Sequence, residues 1–164
     1  MKIQKVKQLI IDIFLKHKLS SKNSKICADA LINAELVGAP SHGLARISSY
    51  CNRIKKKVIN PRPKIKVKKI SNNITSIDAD NAVGFIGADL GINQAIQNAK
   101  KNGIGFVAVK NSGHFGLSGY YAERAAKKGL VAFCFTNAPP AIAPHGAKKT
   151  LFGTNPICFA APTG

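Results

Sequence analysis

Apolar side chains fall at Ile3, Val6, Leu9, Ile10, Ile13 and Phe14, a spacing of three and four that gathers them on one face of a helix over residues 3–17. A break at Leu19 to Asn23 carries serines suited to capping. A second helical run over 24–37 follows, through Ile26, Ala30, Leu31, Ala34 and Val37, and Gly38 supplies its stop. Ala39-Pro40 makes a turn. A third helix is predicted from Gly43 to Lys57, with Leu44, Ile47, Tyr50, Cys51 and Ile54 on one face. Asn60-Pro61-Arg62-Pro63 breaks the chain and reads as a linker.

Beyond Pro63 the period shortens to two. Lys64 to Ile70 alternates as a strand with one solvated face, and Ile74 to Ala79 reads as its hairpin partner across a Ser-Asn-Asn turn. Helical spacing returns over 87–101. Ile104 to Val109 and Leu130 to Thr136 are apolar runs short enough for buried strands, and Pro156 to Ala160 reads as one more. Between the first two lie a glycine-rich loop at 111–119 and a helix at about 118–128, ended by Gly129. Asn137 to Gly146 is a proline-rich loop, with His145-Gly146 read as a plain turn. A helical opening followed by interleaved strands and helices predicts a mixed α/β fold. The division expected is a helical segment at 1–60 and an α/β domain beginning at 61–164.

With 45% apolar residues in 164 the chain can bury a core. No apolar run reaches the roughly 20 residues of a membrane span. The N-terminal stretch, interrupted by Asp12, reads as an amphipathic helix rather than a signal peptide. Cys27, Cys51, Cys134 and Cys158 form no CxxC pair and are read as reduced, mostly buried thiols of a cytoplasmic protein, with neither a disulfide frame nor a metal site.

The formal charge of +18 raises the question of nucleic acid. Its excess is nearly all lysine, spread along the chain and densest from Lys55 to Lys69, with arginine only at 46, 53, 62 and 124. No RNP-type aromatic motif, zinc finger or helix-turn-helix accompanies it. A specific nucleic-acid partner is therefore not expected. A basic nucleic-acid-binding protein led by Lys55 to Lys69 stays as the alternative.

Three segments carry candidate chemistry. Ser41-His42-Gly43-Leu44-Ala45-Arg46 puts an imidazole and a guanidinium four residues apart. Arginine can grip a carboxylate bidentately, and histidine can exchange a hydroxyl proton. The same residues also fit a capping serine with a surface His and Arg. Lys110 to Gly119 lies between a strand and a helix, with glycines at 113, 116 and 119 that let backbone approach a ligand and free N–H groups that favour phosphate. It is not the GxGxxG fingerprint, and His114 fits an ordinary loop histidine as well. Thr136 to Pro140 and Phe152 to Pro156 are strand-end loops, as common in turns as in ligand contacts.

Taken in order, Ser-His-Gly-x-x-Arg, Lys-Asn-Ser-x-His-Phe-Gly with a Gly-Tyr-Tyr-Ala helix, Phe-Thr-Asn-x-Pro-Pro-x-x-Ala-Pro and Gly-Thr-Asn-Pro-Ile-x-Phe-Ala-x-Pro make the chain resemble the malate/L-lactate dehydrogenase family. That family includes ureidoglycolate and sulfolactate dehydrogenases and a piperideine-2-carboxylate/pyrroline-2-carboxylate reductase. The resemblance implies a non-Rossmann α/β fold around a largely antiparallel sheet, usually in a homodimer. It implies NAD or NADP as cofactor and a small 2-hydroxy or cyclic 2-imino acid as substrate. It makes Ser41 and His42 catalytic, with His114 competing for the acid/base role. It makes Arg46 and Thr154 substrate-binding, and His114, Phe115, Gly116, Leu117, Ser118 and Asn137 cofactor-binding. Ala138 stands where several members have a serine that touches the cofactor. Members are about twice this long, so the chain reads as an N-terminal half. The remainder would supply an acidic partner for the Ser-His pair and much of the cofactor pocket. A non-catalytic remnant that only dimerises is the further alternative.

Overall fold

In the computed structural model, which describes residues 2–163, the first two helices form an antiparallel layer. Helix α1 (Ile3–Lys16) buries Ile10, Ile11 and Phe14 against α2 (Ser21–Leu36), which buries Cys27, Ala28, Ala30, Leu31 and Ala34. The Ser20 hydroxyl accepts the Asn23 N–H at 3.2 Å and caps α2, as the serine-rich break predicts. A Lys7–Asp29 ion pair ties the two helices.

The third helix is shorter than its apolar pattern suggests. Residues Pro40–His42 and Leu44–Arg46 form two 3-10 turns, and only Ile47–Lys55 is α-helical (α3). Gly43 breaks the run with a backbone outside the helical region, φ −97° and ψ −134°. His42 and Arg46 therefore sit on successive tight turns, not one turn apart on a single helix.

Strands β1 (Lys66–Lys69) and β2 (Ile74–Ala82) form the expected antiparallel pair. Strand β3 (Phe106–Ser112) joins β2 in parallel through the crossover helix α4 (Gly84–Asn102), so this sheet is mixed, in the order β1-β2-β3. Thr75, Ile77 and Ala79 of β2 are buried, and Val107 and Val109 of β3 approach α4 at its glycines 87 and 91. A separate antiparallel pair, β4 (Ala132–Phe135) with β5 (Ile157–Ala160), packs against α5 (Ser118–Ala126), which buries Tyr121, Ala122 and Ala125.

The main core joins α1 and α2 to Ala79, Ala82, Val83, Phe85 and Ile86 of the β2–α4 stretch. The linker after α3 is clamped to the same stretch: Asp80 accepts hydrogen bonds from Asn60 Nδ2 at 2.9 Å and from the Lys64 N–H at 2.8 Å.

The strands read as buried are covered on one face only. Ile157 and Phe133 keep 77% and 63% of their surface open, and Phe106, Phe135 and Phe159 are exposed as well. Burial of each such side chain is worth about 1.5–3 kcal/mol, so this face is suited to a further layer. Cys134 and Cys158, far apart in sequence, are register partners across β4 and β5; all four cysteines are free thiols, only Cys27 and Cys51 fully buried. Among the described residues no helix is long and apolar enough to cross a membrane.

Candidate functional site

Two tight turns and a loop converge at the start of α3. The turn ending at His42 is held by Glu35 of α2, whose Oε1 accepts the Leu44 N–H at 2.7 Å. A Cβ on Gly43 would lie 2.1 Å from that oxygen, so the carboxylate and the turn fit only with glycine between them. Arg46 Nε donates to the Ser41 carbonyl at 2.8 Å, folding the guanidinium back over the Ser-His turn. Ser41 Oγ lies 3.1 Å from His42 Nδ1.

The glycine-rich loop arrives from β3. A Cβ on Gly84, at the start of α4, would lie 2.1 Å from the Gly113 carbonyl oxygen and 2.4 Å from the His114 carbonyl carbon. That contact presses the loop onto the helix start. Gly116 turns the chain with φ +79°, and a Cβ there would meet Phe85 at 2.6 Å. Phe115 stacks on Tyr121, whose hydroxyl donates to the Phe115 carbonyl at 2.7 Å. Leu117 precedes α5 and offers no side-chain cap, so N–H groups at the head of that helix remain available to an anion.

These two pieces meet at His114. Its ring stacks on that of His42 with centroids 5.6 Å apart. The hydroxyl of Tyr50, a buried residue of α3, donates to His114 Nδ1 at 2.7 Å, and the Gly116 N–H donates to the same nitrogen at 3.3 Å. Crowding by protein pushes the His114 pKa down to about 4, and the positive charges of Arg46, His42 and Arg53 push the same way. The residue keeps an open face toward solvent, but both causes disfavour the cation. Burial likewise raises the Tyr50 pKa, keeping its hydroxyl protonated and a donor.

The structure thus gathers Ser41, His42, Arg46 and His114 of the predicted residues, with Phe115 to Ser118 continuing into α5. Asn137 and Thr154 fall in a second cluster, where Asn155 Oδ1 accepts the Ala138 N–H at 2.7 Å and Gly153 packs on the Ala138 carbonyl. Among the described residues no hydrogen bond links the two clusters. Sequence reasoning missed Tyr50 and Glu35 as site residues. Tyr50 stands on the apolar face of its helix with a polar tip that needs a partner when buried; Glu35 is an acid in the last turn of a helix, where the dipole disfavours it without a donor.

The chain matches the malate/L-lactate dehydrogenase family over residues 1–164. It is 39% identical over 160 residues to L-sulfolactate dehydrogenase of Methanocaldococcus jannaschii, covering 98% of this chain and 46% of that one. It is 39% identical over 139 residues to (2R)-3-sulfolactate dehydrogenase (NADP(+)) of Chromohalobacter salexigens, covering 85% of this chain and 41% of that one. Its fold superposes on malate dehydrogenase from Pyrococcus horikoshii OT3 with a TM-score of 0.94 and 36% identity, covering 99% of this chain and 47% of that one. The chain spans about half the length of the relatives it matches. With its four motifs in order and its fold superposed along nearly its whole length, the chain belongs to the malate/L-lactate dehydrogenase family.

Proposed function

We propose that this chain carries the substrate-orienting and proton-handling part of a nicotinamide-dependent oxidoreductase acting on a small 2-hydroxy acid or cyclic 2-imino acid. The observation that carries the reading is the stacking of His42 on His114 beside Arg46. One guanidinium and two imidazoles are the groups needed to hold a carboxylate and move one proton.

The two histidines differ in a way that divides the work. A backbone N–H can only donate, so the Gly116 contact makes His114 Nδ1 an acceptor and leaves its proton on Nε2. His114 is then a neutral donor, fit to polarise a carbonyl or imine or to hold the carboxamide of the cofactor. The Ser41 hydroxyl can either donate to His42 Nδ1 or accept from it, so His42 can carry its proton on either nitrogen. His42 is accordingly the proton carrier, and Arg46 binds the carboxylate.

The loop from Gly113 to Ser118 fits a dinucleotide: its glycines keep side chains out of the approach, and the uncapped head of α5 suits phosphate. When bound, NAD or NADP supplies the hydride acceptor or donor at the nicotinamide ring. Asn137 would add a cofactor contact and Thr154 would line the substrate pocket once the second cluster is brought alongside. Residues 1–60 would then hold the substrate motif and 61–164 the cofactor loop. The exposed face of β3, β4 and β5 supports a homodimer, or a further layer of the family fold, covering Phe133, Phe135, Ile157 and Phe159. Four free thiols agree with a reducing, cytoplasmic setting. The nucleic-acid alternative gains no support from the site, whose cations nearest His114 are the two arginines Arg46 and Arg53.

The test is oxidation of NADH and NADPH with oxaloacetate, pyruvate, sulfopyruvate and a cyclic 2-imino acid by the whole polypeptide that carries this sequence. Turnover with one of them, lost on His42→Ala, supports the reading; absence of turnover with all of them refutes it.

A further inference from the structure

The far end of α3 carries a feature the dehydrogenase site does not use. Where the ends of α1 and α3 meet the linker, an open cleft of about 530 Å³ is lined by Lys16, Lys18, Lys55 and Lys57, with His17 among them. A second hollow of about 420 Å³ adjoins it, shares Lys18 and Pro61, and adds Arg62. No carboxylate lines either one, and none of these five Lys and Arg side chains is in a salt bridge among the described residues. Asp80, bonded to the lining residue Asn60, also accepts from the Lys64 N–H, and Asp12 of α1 is bonded to Gln8.

Lysines at helix ends have an ordinary explanation, attraction to the negative end of the helix dipole. Here it falls short. Each helix end counts as about half a negative charge, so two ends offset roughly one of the five cations. The terminal carbonyls are moreover taken: Phe14 O and Leu15 O accept from Leu19 and Lys18, and Arg53 O and Ile54 O accept from Val58 and Lys57. A sphere of the cleft's volume is about 10 Å across, close to the screening length of about 8 Å at physiological salt. The ammonium groups around it therefore repel one another, and their summed field favours a multiply charged anion.

The backbone at two of these lysines is that of a left-handed helix stop, closed by the bonds just given. Lys18 and Lys57 stand at φ 68° and 58°, the left-handed position after a helix where glycine is at ease and a long side chain is strained. Both strained residues line the same cleft.

We propose that this cleft is a binding site for a small anion bearing several phosphates, set apart from the His42–His114 site by the length of α3. The nine-residue step from Arg46 to Lys55 is roughly 13 Å at helical rise. The cleft's size, about 10 Å across for its 530 Å³, favours a compact oligophosphate over an extended nucleic-acid backbone.

The same strain supplies the test. Lys18→Gly with Lys57→Gly removes two charges at positions where glycine suits the backbone, so the double variant folds at least as stably as the parent. Calorimetric titration with inorganic tripolyphosphate at about physiological salt should give saturable binding with Kd below about 1 mM. Binding should weaken at least about tenfold in the double variant, whose thermal midpoint without ligand is unchanged or higher. Addition of NADPH should not displace the tripolyphosphate. Equal affinity in the double variant, the same response to sulfate at matched ionic strength, or displacement by NADPH would each overturn the proposal. So would single-stranded RNA that binds more tightly per phosphate, since the cleft would then be part of an extended basic surface.

Discussion

The Tyr50 hydroxyl lies 2.7 Å from Nδ1 of His114, across 64 positions of sequence, and so couples the apolar face of α3 to the glycine-rich loop. With the Gly116 N–H on the same nitrogen, it sets the tautomer of an imidazole that crowding keeps neutral.

Tyr50→Phe removes a donor that stabilises neutral His114. The His114 pKa should rise from about 4 toward its ordinary value, and stability should fall by about 1 kcal/mol, the net worth of one such bond. Nitrogen chemical shifts followed against pH report both the pKa and the tautomer. An unchanged titration in the variant would mean that Tyr50 does not set the state of His114.

The lowered His114 pKa also makes stability depend on pH. The unfolded chain binds this proton below pH of about 6.5 and the folded chain only below about 4. Stability is therefore fully present above that window and is lost as pH falls through it. Because the residue keeps an open face, the contribution is about 1 kcal/mol or less after allowance for solvent screening. The thermal midpoint should drop between pH 7 and pH 5, and His114→Gln should reduce the drop. An equal drop in the variant would assign it to other groups.

Arg46→Ala, in the whole polypeptide, should lower kcat/KM for a 2-oxo acid by roughly 2–4 kcal/mol, the loss of a bidentate charged contact in a closed pocket. Arg46 also donates to the Ser41 carbonyl, so Arg46→Lys, which keeps the charge, separates charge from positioning by restoring part of KM. Unchanged kinetics in Arg46→Ala would remove it from the site.

The isolated chain should turn over below about 1 s⁻¹, under the ordinary enzyme range. A catalytic imidazole is normally oriented by an acid. Among the described residues none of the seven acids bonds to His42 or His114, and Glu35 is spent on the Leu44 N–H. The uncovered phenylalanines of β4 and β5 should also make the chain prone to aggregate. Steady-state NADH oxidation by soluble, monodisperse chain measures this; turnover above that level would mean that the residues described here suffice.

The periodicity of α1 and α2, the Ser20 cap and the hairpin turn at Ser71 to Asn73 were all legible in the sequence, because each is decided locally. The third helix was misjudged because Gly43 and the pull of Glu35 on Leu44, a contact nine positions away, outweigh an apolar stripe. The strands at 106–112, 132–135 and 157–160 carry the composition of buried strands, yet which faces are covered depends on where α4 and α5 pack, and alternation cannot report that. His42, Arg46 and His114 stood out through their motifs. Tyr50 did not, since its partner lies across the fold and its spacing marks it only as core.

In the proposed division of labour His42 carries the proton and His114 remains a neutral donor. The pH dependence of kcat/KM for reduction of a 2-oxo acid, compared between the parent and His42→Gln and His114→Gln, tests it most directly. The parent profile should show a limb that vanishes in His42→Gln and persists in His114→Gln at a lower rate. A profile whose limb survives His42→Gln and disappears in His114→Gln would contradict it.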